Sequence, residues 1–492
     1  MKLPGDTRAV PELALDKLQR TREPPIPAVT VRGRRSAKAT VLNGVSRVLA
    51  LTTTDEAVAY GVLASVWQVL AAPVTILMIA GWLNSAAQGF YYTFNSLVAL
   101  QTYVELGLSI VVLSAASHEW AFLGLDARGR IIGDNTALSR LVSLGRFVFV
   151  WYSIAAFLFF VAVGGVGHWF LARQAVGDVT WVSAWWVLVL LTSLQLWALP
   201  FNALLEGCNQ VVSIQKLRFG QAVLRSLAMW TVLAAHGQLW AAVAAAGVAF
   251  GRDMYLLLVR YRRFFAPFVR PPSGPRMSWQ SDIWPMQWRL AASASVSYLL
   301  FQAFTPVMFN YHGPVVAGQM GMTLSIVFAV QGIASMWLQP KVPTLGMCIA
   351  RRDYAGLDAM WWRITRVCFL VATSGAVAAW LLIWGLNRLH VGLAHRLLPP
   401  LPAGLFLACA GFLAVGYCET AYLRAHKREP LLVLSVVTSL LMGVLVWQLG
   451  SRFGPTGAAV AYLTVIAGVS LPWQTLIWLR SRREWHRPGR AT

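Results

Sequence analysis

Long apolar runs separated by short polar stretches rich in arginine or proline set the pattern of this chain. A helix needs roughly 20 apolar residues to cross ~30 Å of hydrocarbon. Runs of that length predict twelve transmembrane helices, at about 58–82, 91–116, 147–170, 181–204, 219–236 and 239–259, then at about 290–310, 316–338, 367–386, 403–423, 431–449 and 457–479. The basic stretch 260–289, with Pro271-Pro272-Ser273-Gly274-Pro275 at its middle, divides them six and six. The predicted fold is all-α and integral to the membrane. A basic tail covers 1–57, a six-helix lobe 58–259, a linker 260–289, a second six-helix lobe 290–480 and a short tail 481–492.

Lysine and arginine orient this map. With the N-terminus inside, Arg173, Arg388, Arg396 and Arg452 fall in outer loops and Arg225, Arg252 and Arg289 inside predicted helices; every other basic residue is cytoplasmic. That asymmetry follows the positive-inside rule and puts both termini in the cytoplasm. It also accounts for the net charge of +22 as topology rather than nucleic-acid binding, because the charge sits in short clusters between apolar runs. Only 12% of residues are charged, against about 25% in soluble domains, so composition agrees with the membrane class. The tail 1–57 has no apolar core for a signal peptide. Its Arg32-Gly33-Arg34-Arg35 cluster reads as topological charge or a headgroup contact.

Chemistry of other kinds is poorly represented. Cys208, Cys348, Cys368, Cys409 and Cys418 lie in or beside apolar segments without CxxC spacing, so neither a disulfide framework nor a metal site is expected. The histidines show no ligand spacing, and no glycine-rich phosphate loop precedes a helix. The expectation is no metal, no cofactor and no ATP-driven pump within this chain.

The halves look weakly repeated. Gln88-Gly89-Phe90-Tyr91 leads into the second span and Ala317-Gly318-Gln319-Met320 into the eighth; Trp240-Ala241-Ala242-Val243-Ala244 and Gly457-Ala458-Ala459-Val460-Ala461 open the sixth and twelfth. Small residues let helices approach closely where lipid supplies no hydrophobic drive. Two such halves in one orientation are a common transporter plan. Any Ala/Gly-rich helices look alike in this way, which is the plainer explanation.

Intramembrane charge carries most of the functional information, since an unpaired ion at a helix centre costs about 2.5–3.5 kcal/mol even on insertion scales. Arg225, Arg252 and Arg289 all lie toward the cytoplasmic half and are candidates for an anionic headgroup such as a diphosphate, which guanidinium binds bidentately. Snorkelling to the interface is the plainer alternative. Arg252 and Asp253 are adjacent, so by helical spacing they are expected to need different partners. Glu105 and Glu419 are candidate ion-coupling acids, because a carboxyl in low dielectric can hold and release a proton; a hydrogen-bonded structural acid is the alternative, as for Glu206. Gln302, Asn310 and Gln319 are candidate cavity-lining polar residues, and with Gln331 they equally suit interhelical hydrogen bonds. Pro73 and Pro306 are expected mid-helix in the first and seventh spans, where a freed carbonyl permits bending.

Several of these pieces, taken in order, resemble the polysaccharide-exporter flippases of the multidrug/oligosaccharidyl-lipid/polysaccharide (MOP) exporter superfamily. The resembling elements are Gly89-Phe90-Tyr91, Glu105-Leu106-Gly107-Leu108, Leu205-Glu206-Gly207 and Gly454-Pro455-Thr456-Gly457-Ala458-Ala459, spread over about residues 58–480. The resemblance implies a MATE-like fold of two lobes around a central cavity. It implies ion-coupled movement of a polyprenyl-diphosphate-linked oligosaccharide across a bacterial inner membrane, with membrane lipids and polysaccharide polymerase or assembly proteins as partners. Two readings compete: an ion-coupled drug or metabolite antiporter of the same superfamily, and a membrane polysaccharide polymerase or glycosyltransferase. The enzyme reading is weakened by the outer loops, of which the longest predicted covers only about 387–402, too little to hold a glycan and catalytic carboxylates.

Overall fold

The computed structural model describes residues 56–278 apart from 106 and 175–178, then Trp284 and Gln287, and residues 302–486 apart from 427–429. The tail 1–55 and Arg289 lie outside the described residues.

The first half begins with α1 (Glu56–Trp82), which carries Pro73 within an unbroken helix. The second span is built in three pieces, α2 (Ser85–Val98), α3 (Gln101–Glu105) and α4 (Leu108–Trp120). The last break falls at Gly107, whose φ of 70° is left-handed and open to glycine because it has no Cβ. A hairpin follows, β1 (Leu123–Leu125) antiparallel to β2 (Ile131–Gly133) with Leu123 opposite Gly133. Next come α5 (Asn135–Ala172), α6 (Val182–Gly207), α7 (Val211–Ala234) and α8 (Trp240–Met254), which runs on through a π-helical turn at Tyr255–Arg260. Asp134 caps α5 by accepting the Ala137 N–H at 2.8 Å.

The predicted linker is not free chain at its start. It forms α9 (Arg262–Phe265) and a 3-10 turn (Ala266–Val269), and buries Phe264 and Phe265 in the core. The alternation of arginine with aromatic residues there makes a strap against α5, which a search for long apolar runs passes over.

The second half contains α10 (Phe304–Ser335), α11 (Val342–Ala350), α12 (Tyr354–Arg388), α13 (Pro400–Ala425) and α14 (Leu432–Leu463), which continues through a π-helical turn (Thr464–Ser470) into α15 (Leu471–Trp485). Helix α10 breaks at Gly313-Pro314 and α14 at Gly454-Pro455, each glycine with positive φ. At the second break the chain reverses. A methyl on Gly450 would lie 3.6 Å from Cβ of Ala458, whereas eight residues along a straight helix rise ~12 Å. Pro306 is not mid-helix: Gln302 and Ala303 are turn residues, so Pro306 falls in the first turn of α10, where its missing N–H leaves no bond unmade.

Among the described residues, 8 helices are long and apolar enough to cross a membrane, or 9 if the bent pair α2–α4 counts as one span. Helix α14–α15 holds two predicted spans and the more polar α7 another, while α10 holds the eighth and the last residues of the seventh, whose positions 290–301 lie outside the described residues. The protein is thus a multi-pass helical membrane protein with the predicted plan of about twelve spans in two halves. In the first half α1 packs on α7, α7 and α6 on α8, and α4 and α5 on α6; in the second, α12 packs on α13 and α10 on α14. The runs of small residues serve these contacts, since Ala241, Ala242, Ala245 and Ala246 of α8 and Gly457, Ala458, Ala459 and Ala461 of α14 are buried.

The halves meet chiefly through α2 and α10. On the orientation set by the basic residues, this contact is at the outer end. Gly89 opposes the Pro314 carbonyl so closely that a methyl there would run into it, and one on Gly318 would lie 2.9 Å from the Gly89 nitrogen. Gln88 Nε2 donates to the carbonyls of Gly318 (2.9 Å) and Arg396 (3.0 Å). Phe90 and Phe309 meet edge to face at 5.1 Å. The two resembling sequences Gln88-Gly89 and Ala317-Gly318 therefore pack against each other.

Candidate functional site

Behind this outer contact lies a cavity of about 840 Å³. Its floor and walls come from both halves. Helix α1 gives one stripe, from Gly61 through Gln68 and Thr75 to Ile79, and α2 gives Tyr91, Tyr92, Asn95 and Ser96. The second half gives Gln302, Thr305 and the stretch from Gly321 to Phe328.

The most polar wall is α7. Gln215, Arg218, Gln221, Arg225 and Met229 line the cavity, three or four residues apart and hence on one helical face, with Ser226 beside them. The same stripe explains why α7 is missing from the helices apolar enough to qualify as spans by composition. Its sequence start was also misplaced: the helix begins at Val211, two turns before the predicted 219, because Gln215, Lys216 and Arg218 break the apolar run. Two cross-bonds hold α7 against α1, from Trp230 Nε1 to Thr75 Oγ1 (3.0 Å) and from Trp67 Nε1 to Ser226 Oγ (3.3 Å).

Three arginines, Arg218, Arg225 and Arg252, line the cavity, and no carboxylate does among the described residues. Two of them are paired with acids set behind the wall. Arg218 bonds Glu206 at the end of α6. Arg252 bonds its own neighbour Asp253, with Nε to Oδ1 at 3.0 Å. This corrects the expectation from helical spacing. That rule concerns Cβ directions, and the long guanidinium side chain reaches around to Asp253, which Asn202 Nδ2 on α6 holds at 3.0 Å. Arg225 has no carboxylate within ion-pair distance among the described residues. Low-dielectric walls focus the field of such a charge, so the cavity attracts anions.

The pair behind the wall makes a stability prediction. Arg252 and Asp253 side chains are only 13% and 7% exposed, and breaking a buried pair from one side costs about 3 kcal/mol or more. Asp253→Ala should therefore lower the thermal unfolding midpoint of the detergent-solubilised protein, whereas Glu206→Ala, whose partner Arg218 is more exposed, should lower it less. Equal midpoints for Asp253→Ala and wild type would show that the pair contributes nothing.

The remaining sequence candidates divide. Gln302 lines the cavity as expected. Asn310 and Gln319 do not: the Asn310 carbonyl accepts from Gln174 Nε2 (3.0 Å) and Gln319 Nε2 donates to the His395 carbonyl (3.0 Å), so both belong to outer-end contacts. Gln331 makes an interhelical bond, donating to the Ala410 carbonyl at 2.6 Å. Glu105 ends the short α3, packed against α5 and α6, and is not part of the cavity wall. Glu419 is buried between α13 and α15; its Oε1 accepts from Thr475 Oγ1 at 2.8 Å and its Oε2 has no partner. The sequence reading missed Gln68, Asn95, Gln215, Arg218 and Gln221. For α7 the signal was present as polar residues at helical spacing.

No protein-family model matches this chain, and no curated protein sequence does. Solved structures do share its fold. A multidrug-resistance MATE family transporter of the MOP superfamily, in an inward-facing conformation, is similar over 84% of this chain and 99% of its own, with a TM-score of 0.53 and 13% identity. The MATE multidrug transporter DinF-BH, solved as a ligand complex, matches over 89% of this chain and 97% of its own, at 0.52 and 16%. The lipid II flippase MurJ, in an inward closed conformation, matches over 87% of this chain and 89% of its own, at 0.56 and 9%. At these identities the likeness is one of fold. The chain has the two-lobed architecture of MOP-superfamily transporters, and both drug transporters and a lipid flippase are built on it.

Proposed function

We propose that this protein is a membrane transporter that moves a polyprenyl-diphosphate-linked oligosaccharide from the cytoplasmic to the outer leaflet by alternating access, for polysaccharide export. The observation that carries this reading is the cavity wall, with three arginines, a stripe of amide and hydroxyl side chains and no lining carboxylate among the described residues. Guanidinium groups suit a diphosphate, the polar stripe suits sugar hydroxyls, and the lipid tail stays in the bilayer. On this reading Arg225 is the principal anion ligand, with Arg252 and Arg289 as further candidates and Gln302 facing the glycan. Polysaccharide polymerase or assembly proteins would be the functional partners.

An antiporter for a drug or metabolite is supported by the MATE-type likenesses and by the cavity's size, within the ~300–1,000 Å³ of small-molecule pockets. A cationic substrate fits poorly here, because the wall supplies no negative charge to receive it.

The test is the leaflet distribution of polyprenyl-diphosphate glycans in cells lacking this protein. Cytoplasmic-side accumulation that is relieved by the wild-type chain is the expected result. An unchanged distribution would reject the flippase reading in favour of an antiporter, to be followed with small substrates in reconstituted vesicles.

Glu105 and Glu419 remain the candidate coupling acids, and Glu419 has the better setting because it is buried with one carboxyl oxygen unbonded. Glu419→Gln should leave folding intact and abolish the dependence of transport on a proton gradient, read in vesicles with and without an imposed gradient. Glu105→Gln is the paired test, and unchanged proton-driven transport in both variants would dismiss proton coupling through these acids.

A further inference from the structure

A second cavity opens on the lipid-facing side of the first half, near its cytoplasmic end. It measures about 620 Å³ and lies between α5, α6, the end of α8 and the strap Arg262–Val269. Phe149, Trp197, Phe201, Leu257, Phe265 and Phe268 form its walls, and Arg146 and Arg262 belong to its rim. It shares no lining residue with the central cavity.

The notch is a built feature. Gly145 has no side chain because Phe268 lies across it, and a methyl there would run into the ring. Phe201 and Phe265 meet edge to face at 5.2 Å, and Phe264 stacks on Phe268 at 5.8 Å. Arg146 Nη1 donates to the Val269 carbonyl at 2.9 Å, which fastens the strap to α5 while using one of the guanidinium's five donors.

Its depth fits a lipid. Helix α5 has 38 residues, or ~57 Å at 1.5 Å per residue, much longer than the ~30 Å of hydrocarbon. Its cytoplasmic end therefore projects into water, and its long apolar run starts at Phe147, directly after Arg146. The two rim arginines thus stand at the headgroup level and the aromatic walls just inside the hydrocarbon. Phe149, Val150, Leu258 and Val269 are exposed along this face.

The charged residues that line the cavities on the two sides of the strap are all arginines. On its other side a further cavity of about 730 Å³ is lined by Arg130, Arg263 and Arg270, beside the start of α5 at Asn135. No carboxylate lines either cavity among the described residues. Arg263 donates to the Arg128 carbonyl (3.1 Å), and neither Arg146 nor Arg262 is in an ion pair among the described residues.

We propose that this notch is a binding site for an anionic phospholipid of the cytoplasmic leaflet, with an acyl chain in the aromatic groove between α5 and α6 and the phosphate held by Arg146 and Arg262. Basic pockets between helices at the cytoplasmic face have the chemistry to retain anionic headgroups. A zwitterionic lipid would bring a third cation to a rim that already has two. A second copy of this chain is a poorer occupant, because the notch would need to receive acidic residues and this chain carries 19 against 41 basic ones. The lipid would brace the strap that leads from the first half toward the second, independently of what the central cavity carries.

The test uses the full-length protein, purified in detergent and titrated with phosphatidylglycerol or phosphatidylcholine while bound lipid is counted by native mass spectrometry. Phosphatidylglycerol should bind more tightly than phosphatidylcholine. The preference should fall about fivefold in Arg262→Gln, roughly the worth of one interfacial basic residue, and return in Arg262→Lys. Arg262 makes no hydrogen bond or ion pair with the described protein, so its substitution leaves the fold intact. Arg146→Gln should add to the loss, and Arg388→Gln, in the last turn of α12 at the outer side, should have no effect. Equal binding of the two lipids, an undiminished preference in Arg262→Gln, or a lipid-independent dimer mass would each overturn the proposal.

Discussion

A leucine in place of Gly89 is expected to force the two halves apart at their outer ends and to stop turnover. Gly89 packs against the Pro314 backbone, which cannot rotate out of the way as a side chain can. Gly318 and Gly321 make the same contact from α10, against the Gly89 backbone and the Tyr92 ring. Overpacking at such a contact costs about 1–3 kcal/mol, which shifts a two-state equilibrium by ~5–150-fold. The readout is labelling of Met320→Cys by a membrane-impermeant maleimide added outside. Met320 is fully buried, so the introduced thiol should be protected with glycine at 89 and reactive with leucine. Gly81→Leu is the control, because nothing lies within 4 Å of a Cβ there. Continued protection in Gly89→Leu would mean that this contact is not what closes the outer side.

Arg225→Gln is expected to remove most of the cavity's affinity for a phosphate-bearing ligand. Arg218 and Arg252 spend part of their charge on Glu206 and Asp253, and Arg225 has no such partner among the described residues. A hydrogen bond to a charged group is worth about 1.5–3 kcal/mol, so binding of a polyprenyl diphosphate should weaken by ~10–150-fold. Lysine should restore only part of the loss, since it keeps the charge without the bidentate fork. Calorimetric titration of the purified protein with a short-chain polyprenyl diphosphate would measure this. Unchanged affinity in Arg225→Gln would take the anion site away from α7, and with it the main support for the flippase reading.

Much of the fold was legible because the bilayer imposes a length and a polarity on each crossing. Most of the spans and the break at Gly454-Pro455 could be located from apolar run length and helix breakers. The start of α7 was misplaced because Gln215, Lys216 and Arg218 interrupt the apolar run and a window average reads such residues as loop. Pro306 reads as mid-helix because the apolar run at 290–310 continues straight through the helix start at Phe304. Among candidate site residues, Arg225, Arg252 and Gln302 line the cavity, while Asn310, Gln319, Glu105 and Glu419 are placed elsewhere. Linear sequence placed all of these in or near spans without saying which way each one faced.

The sequence by itself pointed to a helical membrane protein whose intramembrane charges lean basic, and its basic loops predict the direction of insertion. These follow from quantities summed along the chain: ~20 apolar residues per crossing and the side on which arginine accumulates. Only the tertiary structure decided that Gln88-Gly89 packs on Gly318, that Asp253 neutralises Arg252, that one face of α7 is a cavity wall, and that the strap at Arg262–Val269 frames a notch toward the lipid. The physical reason is rotation about the helix axis. A uniformly apolar helix is equally content at any rotation in lipid, so its few polar residues find their direction only when neighbouring helices pack against it.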